Sequence, residues 1–144
     1  MKTFSLDEAQ SLVPLLEGLL RRAIEAKASA QQLETGLERL NQSIFFSGGM
    51  QVDSAHVGRQ RAGLRGAVQQ IKDTVEEIDA IGVQVKDLDT GLLDFPCQLG
   101  EEIVLLCWKM GEARITHWHT MEAGFQGRQP LDERFIRNWP EKPN

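Results

Sequence analysis

From Leu12 onward the apolar and small residues fall at Leu12, Leu16, Leu19, Ala23, Ala26, Ala30, Leu33, Leu37, Leu40 and Ile44, in strictly alternating steps of four and three. That heptad seam predicts one long amphipathic helix with its charges on the other faces. At about 1.5 Å per residue the seam alone runs on the order of 50 Å, more than a small globule needs. Upstream, Ser5-Leu6-Asp7-Glu8 has the form of a capping box, in which serine and glutamate each satisfy an early backbone amide. Pro14 lies inside the helical pattern and removes one backbone hydrogen bond, so a kink is expected there, or a short first helix that restarts near Ser11.

The run Phe45-Phe46-Ser47-Gly48-Gly49-Met50 breaks the period and reads as a turn, after which Asp53 or Ser54 suits the cap of a second helix. Its seam reads Val57, Arg61, Leu64, Val68, Ile71, Val75 and Ile78. Two such helices form an antiparallel hairpin. Gly58, Gly63 and Gly66 loosen the second helix and allow close approach to the alanines of the first. Arg61 is expected to reach a carboxylate of the first helix, such as Glu25 or Glu34.

After Gly82 the period changes to two. Val83-Gln84-Val85-Lys86 alternates, Asp89-Thr90-Gly91 is a turn, and Leu92 to Pro96 returns. Glu102 to Trp108 reads as a central strand because Ile103 to Trp108 is apolar on both faces. Lys109 to Glu112 turns again and Arg114 to His119 is the last strand. The fold class is therefore α+β: one domain over residues 1–144, with a helical hairpin over 1–82, then a three- or four-stranded antiparallel meander and an irregular C-terminal segment over 83–144. The hairpin should cover one face of the sheet. Phe125, Leu131, Phe135, Ile136 and Trp139, or a second subunit, should cover the other.

Composition narrows the function classes. Sixteen Lys+Arg against 21 Asp+Glu give a net charge of −5, which speaks against a general nucleic-acid or membrane-surface binder. The local exception is Ser54 to Lys72, where Arg59, Arg61, Arg65 and Lys72 face no acid, a stretch better suited to an acidic partner surface. Cys97 and Cys107 are too few for a disulfide framework, and MKTFSLDEAQ lacks the apolar run of a signal peptide. The expectation is a cytoplasmic protein with reduced thiols.

The sequence has no P-loop, dinucleotide-binding, HExxH, GxSxG or EF-hand pattern. The sharpest candidate chemistry is His117-Trp118-His119, since residues two apart on a strand share a face. Two imidazoles joined by Glu122 and Asp94 make a candidate site for zinc, iron or manganese, with Glu112, Asp87, Asp89, Cys97 and Cys107 as further options. The plainer alternative has the histidines capping strand ends or pairing with acids. Asp87 and Asp89 also suit a turn through bonds to their own backbone. Arg128, in Gly124-Phe125-Gln126-Gly127-Arg128-Gln129-Pro130, is a candidate anion-binding residue, or else the partner of a nearby acid.

The blocks FSLDEAQSLVPLL, GVQVKDLDTGLLDFP, VLLCWKMGE and WHTMEAGFQGRQPL resemble the bacterial family known as domain of unknown function 2203, over essentially the whole chain. The resemblance implies no activity, substrate or catalytic residue. Trp118, His119, Glu122, Gly124, Phe125, Gly127, Arg128 and Gln129 match its pattern, whereas His117 stands where the family more often has an aromatic.

Two functions follow as expectations. The first is a non-enzymatic interaction or oligomerisation module, a homo-oligomer with a dimer favoured, or one that meets a protein partner through the hairpin. The second is a divalent-metal-binding protein or metal-dependent hydrolase around His117 and His119.

Overall fold

The computed structural model describes residues 1–46, 48 and 53–137. Helix α1 runs Leu6–Phe46 and α2 Ser54–Ile81, followed by strands β1 Gln84–Asp87, β2 Leu92–Leu99, β3 Glu102–Lys109, β4 His117–Thr120 and β5 Gln129–Pro130, and a short α3, Glu133–Arg137. The strands form one antiparallel sheet in sequence order. The meander thus has one more strand than expected, because Gln129 and Pro130 pair with the outer edge of β4. Arg114 and Ile115 do not extend β4, which begins at His117.

The caps form as their sequence dictates. The Ser5 amide donates to Glu8 Oε1 at 2.8 Å and the Glu8 amide to Ser5 Oγ at 3.1 Å, so two otherwise orphaned donors are satisfied reciprocally. The His56 amide donates to Asp53 Oδ1 at 3.1 Å, which makes Asp53 the cap of α2. Helix α1 continues through Pro14 as one element, and no restart near Ser11 occurs.

The chain divides into two compact units, residues 1–20 with 75–144, and residues 21–74. The second is the far part of the helical hairpin. There Ala23, Ala26 and Ala30 of α1 are buried, and Leu33 stands against Gly63 of α2, where an added Cβ would meet the leucine at 3.3 Å. The α2 seam differs from the expected one. Gln60, Ala67 and Thr74 turn inward at alternate positions, while Arg61 and Val68 are exposed, Val68 by 52%. Ala67 suits a closely packed pair of helices, and the buried Thr74 hydroxyl donates to the Gln70 carbonyl at 2.8 Å. The snorkelling expected of Arg61 is therefore unnecessary.

In the first unit the core lies on one face of the sheet. Leu93, Phe95, Cys97, Val104, Leu106, Trp108 and Trp118 pack with Phe4, Val13, Leu16, Leu20 and Ile78. The C-terminal segment joins this same face: Leu131 and Phe135 are part of that core, with the Phe135 ring 5.4 Å from that of Trp118. They do not cover the opposite face, because Trp118 points to the helix side and carries its cover with it. Beside β4 lies instead the 3-10 turn Phe125–Gly127. Trp139 lies outside the described residues.

Glycine is required at one sheet turn. Gly91 has φ +70°, and a Cβ there would stand 2.6 Å from Cβ of Met110, whose amide donates to the Gly91 carbonyl. That contact anchors the β1–β2 turn on the end of β3. Among the described residues no helix is long and apolar enough to cross a membrane.

Candidate metal centre

Alternation along the strands sorts residues onto two faces. With Leu93, Phe95 and Cys97 in the helix-side core, Asp94 and Pro96 point to the opposite face; likewise Leu105 and Cys107 on β3, and His117 and His119 on β4. Asp94 pairs in register with Cys107, and Cys107 with His117, while His119 pairs with Leu105 one row away. Three adjacent strands thereby deliver a carboxylate, a thiol and an imidazole to one spot.

Asp94, Cys107 and His119 each offer a ligand atom, and these atoms all lie within 4.8 Å of one another. None of the three residues is more than 2% exposed. His119 Nε2 is 3.0 Å from Asp94 Oδ1, and His119 Nδ1 is 2.8 Å from the Thr120 carbonyl oxygen. A carbonyl only accepts, so Nδ1 carries a hydrogen and donates it. Nε2 facing a carboxyl oxygen then requires one further proton between the two. The Cys107 thiol also bonds Asp94. The metal-free cluster therefore holds a shared proton and a thiol proton, and its net charge is zero whether the shared proton sits on nitrogen or on oxygen.

Electrostatics follow from burial. Desolvation raises the Asp94 carboxyl above its ordinary range, opposed by the hydrogen bond and charge of His119, then by Lys86 and the Cys107 bond. Desolvation also pushes the Cys107 thiol up to about 12, with Asp94 adding to it and Arg128 opposing. A thiol so far from ionising at neutral pH is no free nucleophile. A divalent cation changes that balance, since a coordinating thiol is deprotonated outright.

His117 shares the face, but its Nδ1 lies 2.8 Å from Thr116 Oγ1, and it is outside the cluster. Glu122 is exposed in the turn after β4. Asp87 Oδ1 accepts the Asp89 amide at 3.0 Å, the turn role that its sequence allows. Cys97 faces the helix-side core and both thiols are free, so the two cysteines are separated by the sheet itself. Arg128 donates to Glu112 Oε2 at 2.9 Å and lies 4.8 Å over the Phe125 ring, while Glu112 Oε1 accepts the Lys109 amide. The Gly127 turn that delivers Arg128 is tight, since a Cβ there would stand 2.5 Å from Cβ of Ala123.

Cys107 was one option among several in the sequence, and its place in the cluster follows from pairing. Leu99 and Glu102 close the β2–β3 turn, so Asp94 and Cys107, each six residues from Gly100 and Glu101 respectively, fold onto each other. Locating that turn was the missing signal.

Comparison with known proteins adds a family and no activity. The model of the family described as uncharacterised conserved protein, DUF2203, matches residues 2–131. No curated protein and no solved structure matches the chain.

Proposed function

The chain belongs to the DUF2203 family of uncharacterised conserved proteins, and we propose that within it this protein binds one divalent transition metal through Asp94, Cys107 and His119. The supporting observation is the convergence of three chemically different ligand atoms from β2, β3 and β4 within 4.8 Å. Sulfur, imidazole nitrogen and carboxylate oxygen together suit zinc, with iron or manganese as poorer matches to a thiolate-containing set. His119 is held for Nε2 coordination, because Nδ1–H is engaged by the Thr120 carbonyl, the kind of outer contact that orients metal-binding histidines.

Charge conservation makes the exchange physically reasonable. Loading a divalent cation expels the thiol proton and the shared proton, leaving the buried site neutral before and after. The usual obstacle to burying a cation, an uncompensated charge in low dielectric, is thereby avoided. Ligand atoms around tetrahedral zinc stand on the order of 3.5 Å apart, from bond lengths of about 2.0–2.3 Å. The cluster needs only side-chain adjustment to reach that spacing. Because all three ligands are buried, the site is read as a tie across three strands rather than a hydrolytic centre open to substrate.

Elemental analysis of protein purified without an affinity tag or chelator tests this. About one equivalent of zinc per chain is expected, absent in His119→Ala and Cys107→Ser and retained in His117→Ala. Protein that is metal-free and takes up no added zinc or cobalt overturns the reading.

A further inference from the structure

Charge is distributed unevenly between the two compact units. Residues 21–74 carry eight Lys+Arg and five Asp+Glu, a net of +3, whereas residues 1–20 and 75–144 carry eight Lys+Arg and sixteen Asp+Glu, a net of −8. Within the basic unit, Arg39, Arg59, Arg61, Arg65 and Lys72 are exposed, as are the acids Glu34, Glu38, Asp53 and Asp73. Two aromatics stand at the end of α1. Phe45 and Phe46 are 80% and 83% exposed, with rings 5.5 Å apart edge to face. Two phenylalanines in water, each offering up to about 2–3 kcal/mol on burial, mark a contact surface rather than a solvated helix end.

The acidic unit carries a fitting receptor. A cavity of about 660 Å³ lies between the start of α1, residues 114–116 and residues 131–136. Leu6, Ile115, Leu131 and the 53%-exposed Ile136 give it an apolar lining. Asp7, Asp132 and Glu133 stand around it against Arg114, with Asp132 already paired to Arg134.

We propose that the exposed Phe45–Phe46 pair at the end of α1, in the unit of net charge +3, docks into the apolar cavity beside Leu6, Ile115 and Ile136 of a second copy of this chain. One chain carries both halves of the contact: an apolar plug in a unit of net charge +3, and an apolar socket in a unit of net charge −8. Opposite net charges steer two copies together in this orientation and disfavour hairpin end against hairpin end. The contact joins two different surfaces, so it is heterologous. It uses none of Asp94, Cys107 or His119 and stands independently of metal binding.

Sedimentation equilibrium at about 100 μM in low and high salt tests it. Wild-type protein is expected above the 16.2 kDa of one chain, with a dissociation constant at least about tenfold weaker in high salt. Phe45→Ser/Phe46→Ser and Ile136→Arg change exposed side chains, and circular dichroism checks that each keeps its helix content. Each variant alone should sediment as a single chain. An equimolar mixture of the two should regain association and stop at a heterodimer, since the intact plug of one meets the intact socket of the other. Wild-type protein of single-chain mass at both salts overturns the proposal, as does association that persists in both variants or fails to return in the mixture.

Discussion

Asp94 accepts from the Cys107 thiol and shares a proton with His119, so the consequences of changing each partner differ. His119→Ala leaves a buried carboxyl without its imidazole and should cost about 3 kcal/mol in metal-free protein. Asn in place of Asp94 is different. Its amide N–H can donate to a neutral Nε2 while its carbonyl still accepts the thiol, so Asp94→Asn should cost less than about 1 kcal/mol yet abolish metal uptake. Urea unfolding of the metal-free variants decides this; equal losses in the two would contradict the shared-proton arrangement. Both thiols also bear on alkaline stability. Burial pushes Cys97 to about 11 and Cys107 to about 12, whereas an unfolded thiol ionises near about 8.5. The native state keeps protons that the unfolded state releases, so this contribution is whole below pH ~8.5 and is lost as pH rises through the native values. The urea midpoint should fall between pH 9 and 11, and native metal-free protein should resist iodoacetamide at pH 8 until urea is added. Rapid labelling of either native thiol would show that the burial is wrong.

At the scale of elements, local signals were legible and choices between near-equivalent faces were not. The capping box at Ser5 and Glu8, the Asp53 cap and the α1 seam were written in sequence because each depends on residues within one or two turns. On α2 the more apolar Val68 loses the inner position to Ala67, and Arg61 to Gln60, since both stripes have heptad spacing and hydropathy alone prefers the wrong one. A small residue wins where the helices approach closely, which depends on the partner helix. Val68→Lys should therefore cost under about 0.5 kcal/mol, whereas Ala67→Leu should overpack the interface by about 1–3 kcal/mol. The reverse order in urea unfolding would restore the stripe through Arg61 and Val68. The same distinction applies to the sheet. Strand existence was legible from alternation, while β5 was hidden because Gln129-Pro130 is too short to show any period.

For the whole molecule, the division into units gives the metal reading a spatial signature. The three candidate ligands lie on β2, β3 and β4 of the unit that combines residues 1–20 with 75–144, and residues 21–74 contribute none of them. A ligand that binds only the native state stabilises by about 2.7 kcal/mol at one hundred times its dissociation constant. Such a gain should not spread evenly when the units open separately, because local opening reports the stability of each unit on its own. Zinc should thus slow hydrogen exchange of the β2–β4 amides by about a hundredfold. The amides of residues 21–74 should change by less than about threefold. Protection rising equally in both units would mean that the chain opens only as a whole, and protection confined to residues 21–74 would place the metal elsewhere. Each bound zinc should also displace two protons, so its apparent affinity should rise about a hundredfold per pH unit near neutrality. A slope of one would mean that only one proton leaves as the metal binds, against the two-proton exchange that keeps the buried site neutral.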